Sequence, residues 1–337
     1  MTIKDVAEHC GVSVSTVSRV LNEHPDVSER VRARVLEAVQ QLHYIPNNSA
    51  RDLVKPQETA IGLIARGVSN PFFAEILPYI ERAITQAGYV PVLHQISTAE
   101  NEVRAGAMLA RSKKLRGLIF LGGRFDYTRE EVALLDVPFV CCSYSNSFGT
   151  LREDAYASVS INDQEQARQA TRMLLEQGHR RIAVLLNSAH DHSISELRYR
   201  GYCQALEEYG IPVDPELVEE AGEFNMAAAY EGTKRLLARR RDFTAMFTIA
   251  DSMAVAAMKA LHEAGCRVPE DCSVIAIDGI DVSEYTVPTL TTLVQPKREM
   301  GEKTVQIMLD LIEQRPCRRH VQLDTALRAG GSVCPRV

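Results

Sequence analysis

Short hydroxyl side chains and one arginine follow a glycine turn in residues 11–22, whose sequence is GVSVSTVSRVLN. Gly11 can turn left-handed at no steric cost, and Ser13 is a good N-cap for a helix that begins beside it. Apolar residues at helical spacing share one face: Val14, Val17, Val20 and Leu21. Polar residues lie on or near the other: Ser15, Thr16, Ser18, Arg19 and Asn22. Small side chains and a guanidinium that can read guanine suit the second helix of a helix-turn-helix; the alternative is a surface helix of a small helical domain.

The flanking segments complete a unit of three helices. The first helix begins with the capping box Thr2-x-x-Asp5, and Ser28 can cap the third. The third helix carries apolar residues at helical spacing: Val31, Val35, Leu36, Val39 and Leu42. Pro46 ends the unit because the residue before a proline disfavours helix. We therefore predict a DNA-binding headpiece over residues 1–46 and a linker over residues 47–57, whose short helix would form only against a partner or on DNA.

Composition limits the classes of function. The chain has 337 residues, of which 45% are hydrophobic, and no apolar run approaches the roughly 18 residues of a membrane span. The N-terminus lacks the apolar segment of a secretory signal, and the eight cysteines lack metal-ligand spacing. These features predict a cytoplasmic protein with no membrane contact, cofactor or metal. The net charge of −6 argues against a protein that simply coats nucleic acid, so DNA binding must come from local cations and from dimerisation.

Strand and helix patterns alternate from Thr59 onward. Such alternation predicts parallel sheets with right-handed crossovers, and two successive sets predict two α/β lobes. Ligands of such sheets bind outside the carboxyl ends of the strands, so a cleft between the lobes is the expected site. Ser69 and Asn70 follow the first strand, where Phe72 can offer a flat apolar surface and Phe73 shares the core face of the next helix. Asp278 ends a later strand, where a carboxylate can accept hydrogen bonds from sugar hydroxyls.

Several motifs, in order and spacing, make the sequence resemble the lactose/galactose repressor (LacI/GalR) family over essentially its whole length. In the first 53 residues they are Thr2-Ile3-x-Asp5-Val6-Ala7, residues 11–22, Val27-Ser28, Tyr44-x-Pro46-Asn47 and Ala50-Arg51-x-Leu53. Later matches are Ile61-Gly62-Leu63-Ile64, Ser69-Asn70-Pro71-Phe72-Phe73, Gly178-His179-x-x-Ile182-Ala183, Arg198-x-x-Gly201, Asp278-Gly279 and Pro288-x-Leu290-Thr291-Thr292-x-x-Gln295-Pro296.

The resemblance implies roles in DNA binding. Val14 and Ser15 would meet base edges, and Arg19 a guanine. Thr16 and Ser18 would meet phosphates, with simple solvation as the alternative. Asn22 and Arg51 are further candidates for DNA contact. Leu53 would wedge between base pairs of the minor groove, or pack on the linker of a dimer mate, and both can hold at once.

The resemblance also implies a core like that of periplasmic sugar-binding proteins, in which the chain crosses between the lobes three times. The crossings are expected near Ser160, Leu290 and His320. The N-terminal lobe then comprises residues 58–160 and 291–320, and the C-terminal lobe residues 161–290 and 321–337. Arg198, Phe224 and Asp251 would contact the effector, with the arginine gripping vicinal hydroxyls or a carboxylate. Many relatives have Asn-Asp where this chain has Ala250-Asp251, which leaves the identity of the effector open.

Taken together, these features predict a transcriptional repressor that binds a palindromic operator as a homodimer and holds a sugar or sugar derivative between its lobes. A nucleobase or phosphorylated metabolite acting as co-repressor is the alternative effector. A free sugar-binding protein would need an export signal and no headpiece. A sugar-modifying enzyme would need a catalytic pair that is not visible, so we expect no enzymatic activity. The chain ends without an apolar heptad extension, which argues against a tetramer built on a C-terminal helix.

Overall fold

The structure is a computed structural model that describes residues 2–21, 24, 26–42, 60–67, 70–97 and 100–336. The chain divides into two compact units, Met1–Gln57 and Glu58–Val337. Four predicted site residues, Asn22, Arg51, Leu53 and Ser69, lie outside the described residues, as does the linker at residues 47–57. In the part of the chain that is described, no helix has the length and hydropathy needed to cross a membrane.

The first unit contains the three predicted helices, α1 (Ile3–Cys10), α2 (Val14–Leu21) and α3 (Glu29–Gln41). The predicted capping box is present, because the Asp5 carboxylate accepts the Thr2 backbone N–H at 2.6 Å. Gly11 ends α1 in the left-handed conformation, with φ of 58°, and so permits the tight turn into α2. The helices enclose a small core: Val6, Ala7, Cys10, Val17, Val20, Val35 and Ala38.

Two apolar residues that the periodicity places on packing faces are instead exposed. Val14 is 39% exposed, because α2 packs through Val17 and Val20 and its first turn extends beyond that core. Leu36 is 45% exposed, because α3 buries Val35 and the next position is rotated away from the core. Both side chains are therefore available on the surface of the headpiece.

The second unit contains two six-stranded sheets with helices packed on them. In chain order its elements are β1 (Ala60–Arg66), α4 (Pro71–Gln86), β2 (Val90–Ile96), α5 (Glu102–Lys113), β3 (Gly117–Leu121), α6 (Arg129–Val132), β4 (Phe139–Cys142), β5 (Ala157–Ser160), α7 (Asp163–Glu176), β6 (Ile182–Leu186), α8 (Ile194–Glu208), β7 (Val218–Glu220), α9 (Met226–Arg239), β8 (Ala245–Thr248), α10 (Asp251–Glu263), β9 (Ser273–Asp278), β10 (Thr291–Val294), α11 (Lys297–Ile312), β11 (His320–Gln322) and β12 (Ala326–Arg328).

The sheets define two lobes, as predicted. The first sheet has the strand order β11-β5-β4-β3-β1-β2 and is parallel throughout. The second has the order β12-β10-β9-β8-β6-β7, in which β12 alone runs antiparallel to its neighbour. Central strands such as β3, β6 and β8 are buried along their whole length, which explains their nearly continuous apolar sequences.

The chain crosses between the lobes at slightly different positions from those predicted. Strand β10 pairs in parallel with β9, and this register places Thr291–Val294 in the second lobe, so the crossing near Leu290 falls instead after Val294. Helix α11 then packs against α4 of the first lobe, where Gly301 allows close approach to Ile80. Strand β11 pairs with β5, so the last crossing follows Gln322 rather than His320. Both differences arise because a short strand near the crossing belongs to the preceding lobe rather than to the following one.

Candidate functional site

Hydroxyl groups are linked to one another at the start of α2. The Ser13 hydroxyl accepts the Thr16 backbone N–H at 3.1 Å, as expected of an N-cap. The same hydroxyl shares hydrogen bonds with Ser15 at 2.7 Å and with Thr16 at 2.8 Å. The first turn of α2 is therefore held in place by local bonds, and its small side chains leave the backbone accessible.

The exposed face of α2 carries the predicted base-contacting residues. Val14, Ser15 and Arg19 are exposed, Thr16 and Ser18 are half-buried, and Val17 and Val20 face the core. The Arg19 side chain is 59% exposed and its guanidinium lies 3.4 Å from the Asp26 carboxylate. Asp26 also bonds to His24 Nδ1 at 2.8 Å. The sequence analysis did not anticipate that Asp26 lies beside this arginine.

Arg198 lies at the centre of a buried charge network in the second lobe. Its side chain is fully buried, and its Nε and one terminal nitrogen donate to Asp163 Oδ1 at 3.0 and 2.9 Å. The other terminal nitrogen donates to the Ile249 carbonyl and to Asp278 Oδ1, the latter at 3.3 Å. The fork of donors that the family resemblance assigns to an effector is thus engaged by the protein. Asp163, at the start of α7, was not predicted. It nevertheless follows the carboxyl end of β5, where the ligand-binding groups of parallel sheets are expected.

Asp278 presents an unused acceptor at the carboxyl end of β9. Its φ of 142° is strained for a side chain other than glycine. Gln295 donates to Asp278 Oδ1 at 2.8 Å, whereas Asp278 Oδ2 and Gln295 Oε1 are buried and have no hydrogen-bond donor among the described residues. Burial raises the pKa of the Asp278 carboxyl to about 7, against the lowering effect of Arg198. Two adjacent buried acceptors without donors are the pattern expected where a ligand supplies the missing hydrogen bonds.

Asp251 links the loop after β9 to strand β10 by hydrogen bonds. It is fully buried, and its Oδ2 accepts the Ile280 backbone N–H at 3.0 Å and the Ser283 hydroxyl at 2.8 Å. Its Oδ1 accepts the Thr292 hydroxyl. Burial raises the pKa of the Asp251 carboxyl. These bonds give Asp251 a positioning role beside Asp278, and effector contact by Asp251 itself stays a prediction.

Both phenylalanines at the start of α4 pack on the core, and Phe72 is the more deeply buried of the two. Phe72 is 2% exposed and packs in the core four residues before Ile76, because helical spacing aligns these two side chains. Phe73 is half-buried, and its ring lies against Gly122 after β3, where a Cβ atom would approach to 2.7 Å. The prediction that Phe72 lines the cleft is therefore wrong, whereas Phe73 packs against the core as predicted and also borders the end of β3. The Asn70 side chain caps α4 by accepting the Phe72 N–H at 3.1 Å.

The first lobe has a buried polar cluster that sequence reasoning missed. Glu102, at the start of α5, accepts the Arg124 backbone N–H at 2.7 Å and the Tyr127 hydroxyl at 2.6 Å. The Tyr127 and Tyr144 hydroxyls share a bond of 2.8 Å, and Arg66 lies 3.6 Å from Glu102. Arg66 ends β1 and Arg124 follows β3. A search for polar residues at the carboxyl ends of the strands could therefore have found both. In the second lobe, Phe224 is half-buried and packs on the core after β7.

Contacts across the lobes join elements at the carboxyl ends of the two sheets. The Glu75 carboxylate of α4 accepts the backbone N–H of Asp281 at 2.8 Å, and Lys297 donates both to Glu75 and to the Gly279 carbonyl. Another contact joins Phe148, after β4, to His192, after β6. The polar groups at the strand ends of the two lobes therefore lie at ends of the sheets that contact each other.

The raised pKa of Asp278 predicts a pH dependence of stability. Because the folded protein binds this proton more tightly than the unfolded chain, the contribution is full below about pH 4 and is lost as the pH rises through about 7. In the wild type, this loss lowers the free energy of unfolding by at most about 4 kcal/mol over this range. We expect Asp278→Asn not to show the decrease. Urea titrations of both proteins from pH 4 to 8 measure the difference. Parallel pH profiles for the wild type and the variant would contradict this assignment.

Comparison with known proteins agrees with these features. Residues 2–47 match the bacterial regulatory proteins of the lacI family, and residues 171–333 match a periplasmic binding protein-like domain. The chain is 39% identical over 329 residues to the HTH-type transcriptional regulator MalR of Clostridium butyricum, with 97% of each chain covered.

Two solved structures resemble the chain along nearly its whole length. One is a complex of the transcriptional regulator CelR with cellobiose, with a TM-score of 0.72, 28% identity, and coverage of 98% of this chain and 99% of that one. The other is the lac repressor dimer bound to operator and the anti-inducer ONPF, with a TM-score of 0.72, 26% identity and 99% coverage of both chains. The chain belongs to the LacI/GalR family and is a DNA-binding, repressor-like transcription regulator with a helix-turn-helix headpiece and a core of the periplasmic-binding-protein fold.

Proposed function

We propose that this protein is a repressor that binds a two-fold symmetric operator as a homodimer and is controlled by a neutral sugar held between its lobes. The observation that carries the DNA-binding part is the exposed face of α2, where Val14, Ser15 and Arg19 stand opposite the buried Val17 and Val20. The observation that carries the effector part is the pair of buried acceptors without donors in Asp278 and Gln295.

The charge balance of the headpiece favours a dimer. Residues 1–57 contain seven lysines and arginines and seven aspartates and glutamates, so one headpiece has little general attraction for phosphates. Arg19 is the one cation of α2, and Asp26 lies beside it. Two headpieces on adjacent half-sites double the base contacts, and the two-fold symmetry of a dimer then requires a palindromic operator.

Exposed apolar residues in the second unit favour self-association. Strand β2 is at the edge of the first sheet and exposes Val90 and Leu93. In the second lobe, Tyr285 is 82% and Val287 97% exposed. Unpaired edge strands and large exposed apolar side chains are features of interaction surfaces. A second copy of the chain is the proposed partner, in line with the lac repressor dimer that the chain resembles.

The chemistry of the interlobe site favours a neutral polyhydroxyl ligand. Asp278 Oδ2 and Gln295 Oε1 can each accept a hydrogen bond, and sugar hydroxyls supply donors that a phosphate dianion lacks; the hydroxyls can also accept from the Asp278 carboxyl when it is protonated. The charged groups near the strand ends are mostly acidic: the arginines Arg66, Arg124 and Arg198 face the carboxylates Glu102, Asp126, Glu131, Asp163 and Asp278. This excess of carboxylates disfavours the alternative of a phosphorylated metabolite. The similarity to a regulator that binds cellobiose is consistent with a sugar.

Binding-site selection from random duplex DNA tests the DNA-binding part. We expect the full chain to enrich a palindromic sequence with half-sites about one helical turn apart, and binding to weaken steeply with salt. Gel shifts with the enriched duplex, a duplex with one half-site and a scrambled duplex measure the specificity. Enrichment of no sequence, or equal binding to all three duplexes, would contradict the proposal.

A thermal-shift screen tests the effector part, because a ligand that binds the folded state raises the melting temperature. Cellobiose, glucose 6-phosphate and hypoxanthine represent a neutral sugar, a phosphorylated sugar and a nucleobase. We expect a rise with neutral sugars of this class, and Asp278→Ala should abolish it. A rise with the phosphate or the nucleobase alone would replace the sugar by the alternative effector.

A further inference from the structure

An aromatic ring of the first lobe is held by two side chains of the second. Phe148, in the loop after β4, stacks on the His192 imidazole with 5.0 Å between ring centroids and 20° between ring planes. The Arg200 guanidinium of α8 lies over the same phenyl ring at 4.9 Å. Stacking and cation–π contacts of this kind are attractive beyond the apolar area that they bury. Phe148 is therefore a specific point of contact between the lobes.

One buried carboxylate positions both of the groups that hold the ring. Glu196 is 5% exposed; its Oε2 accepts the His192 backbone N–H at 2.9 Å, and its Oε1 accepts from Arg200 at 2.7 Å. His192 has a φ of 50°, which a side chain other than glycine adopts only when its surroundings enforce it. Asp191 supplies further restraint by accepting the Ser193 N–H at 3.1 Å.

The first lobe holds its side of the contact equally firmly. The Phe148 N–H donates to the Phe125 carbonyl at 2.7 Å, and the Asn146 side chain pairs with the backbone of Tyr127 at 2.6 and 3.2 Å. Asp126, in the loop after β3, lies 4.0 Å from His192 Nδ1. Near this point, Ile194 and Leu197 of α8 pack against the apolar cluster of the first lobe. The loops after β3 and β4 thus meet the loop after β6 and the start of α8 through a few side chains.

We propose that Phe148, His192, Arg200 and Glu196 form a latch that holds the lobes closed over the interlobe site. Phe148 is the part of the latch that must leave the second lobe when the lobes separate, and Glu196 is a positioning residue. The inference rests on the proposed function in one respect, namely that the cleft that the latch closes is the one assigned to the effector. A ligand that binds the closed form then binds more weakly when the latch is lost, in proportion to the fraction of closed molecules.

Hydrogen–deuterium exchange of the full chain, without DNA or added sugar, tests the latch. We expect Phe148→Ala to speed exchange of the amides at residues 188–194 about tenfold, the loss expected for one stacked pair plus one cation–π contact. Amides of β3 and β6, in the cores of the two lobes, should exchange as in the wild type. Phe148→Tyr keeps an aromatic ring and should keep wild-type protection, which separates the latch from a general effect of substitution.

A second variant tests the latch in the event that Phe148→Ala destabilises the whole first lobe. Arg200 is half-exposed and touches the first lobe through the Phe148 ring, so Arg200→Met leaves the folding of that lobe intact. We expect Arg200→Met to speed exchange at residues 146–149, in the opposite lobe, about threefold. Unchanged exchange at residues 146–149 in Arg200→Met, or at residues 188–194 in Phe148→Ala, would overturn the latch.

The exchange experiment and the operator selection fail independently. If the variants open the lobes but no DNA sequence is enriched, the latch stands and the proposed function falls. If a palindrome is enriched but neither variant alters exchange across the lobes, the proposed function stands and the latch falls.

Discussion

Replacing Arg198 with methionine is expected to destabilise the second unit by about 3–5 kcal/mol. The substitution leaves Asp163 and Asp278 buried without the guanidinium that now donates to both. It also removes a donor from the Ile249 carbonyl. Breaking one side of a buried ion network costs far more than the network itself contributes, because the remaining charges have no solvent to stabilise them. Urea denaturation followed by circular dichroism measures the loss.

Two further variants show whether the buried charges are responsible. Arg172→Met removes an arginine that pairs with Glu176 on the exposed face of α7, and we expect the urea midpoint to remain at the wild-type value. Combining Arg198→Met with Asp163→Asn and Asp278→Asn removes all three charges, and should recover most of the lost stability. If Arg198→Met alone were as stable as the wild type, the two carboxyls would not depend on Arg198.

The hydrogen bonds of Arg198 to protein groups change the role expected for it in ligand recognition. Arg198 is fully buried and its donors go to Asp163, Asp278 and a carbonyl, so its first effect is to orient Asp278. Asp278 Oδ2 and Gln295 Oε1 then remain as the acceptors that a ligand can use. In this arrangement, the proposed sugar would meet the carboxyl group that the arginine holds. Direct contact between the effector and Arg198 stays a prediction.

Features set by local sequence could be predicted well. The Thr2–Asp5 capping box, the left-handed Gly11 and the Ser13 cap depend on residues within four positions of one another, and all three are present. The alternation of strands and helices also predicted two parallel-sheet lobes, because a chain that returns through a helix re-enters the sheet at the same end and the next strand then runs parallel. These signals need no knowledge of distant contacts.

Features set by register or by distant partners could not be predicted in the same way. One position along a helix rotates a side chain by about 100°, which is enough to bury Phe72 fully and leave Phe73 partly exposed at the edge of the core. The depth of Arg198 depends on Asp163 and Asp278, which are 35 and 80 residues away in the chain. The latch at Phe148 joins loops from different lobes. Such contacts become visible only when the sheets are placed against each other.

Arg19→Ala is expected to weaken binding to the selected operator by about 1–3 kcal/mol for each half-site, and to relax the preference at one base pair. The reason is that Arg19 is the one cation of α2 and extends from its exposed face, where a guanidinium can reach a guanine. Gel-shift titrations with operator and scrambled duplexes at two salt concentrations measure the effect. A base contact lowers affinity for the operator far more than for the scrambled duplex.

Asp26→Asn provides the matched control for Arg19. The Asp26 carboxylate lies 3.4 Å from the guanidinium and competes with DNA for it, so the neutral amide should leave operator binding unchanged or slightly tighter. A contact of Arg19 with phosphate instead would give equal losses on both duplexes and reduce the slope of log K against log salt by about 1. Equal losses would therefore reassign Arg19 from reading a base to positioning the headpiece on the DNA backbone.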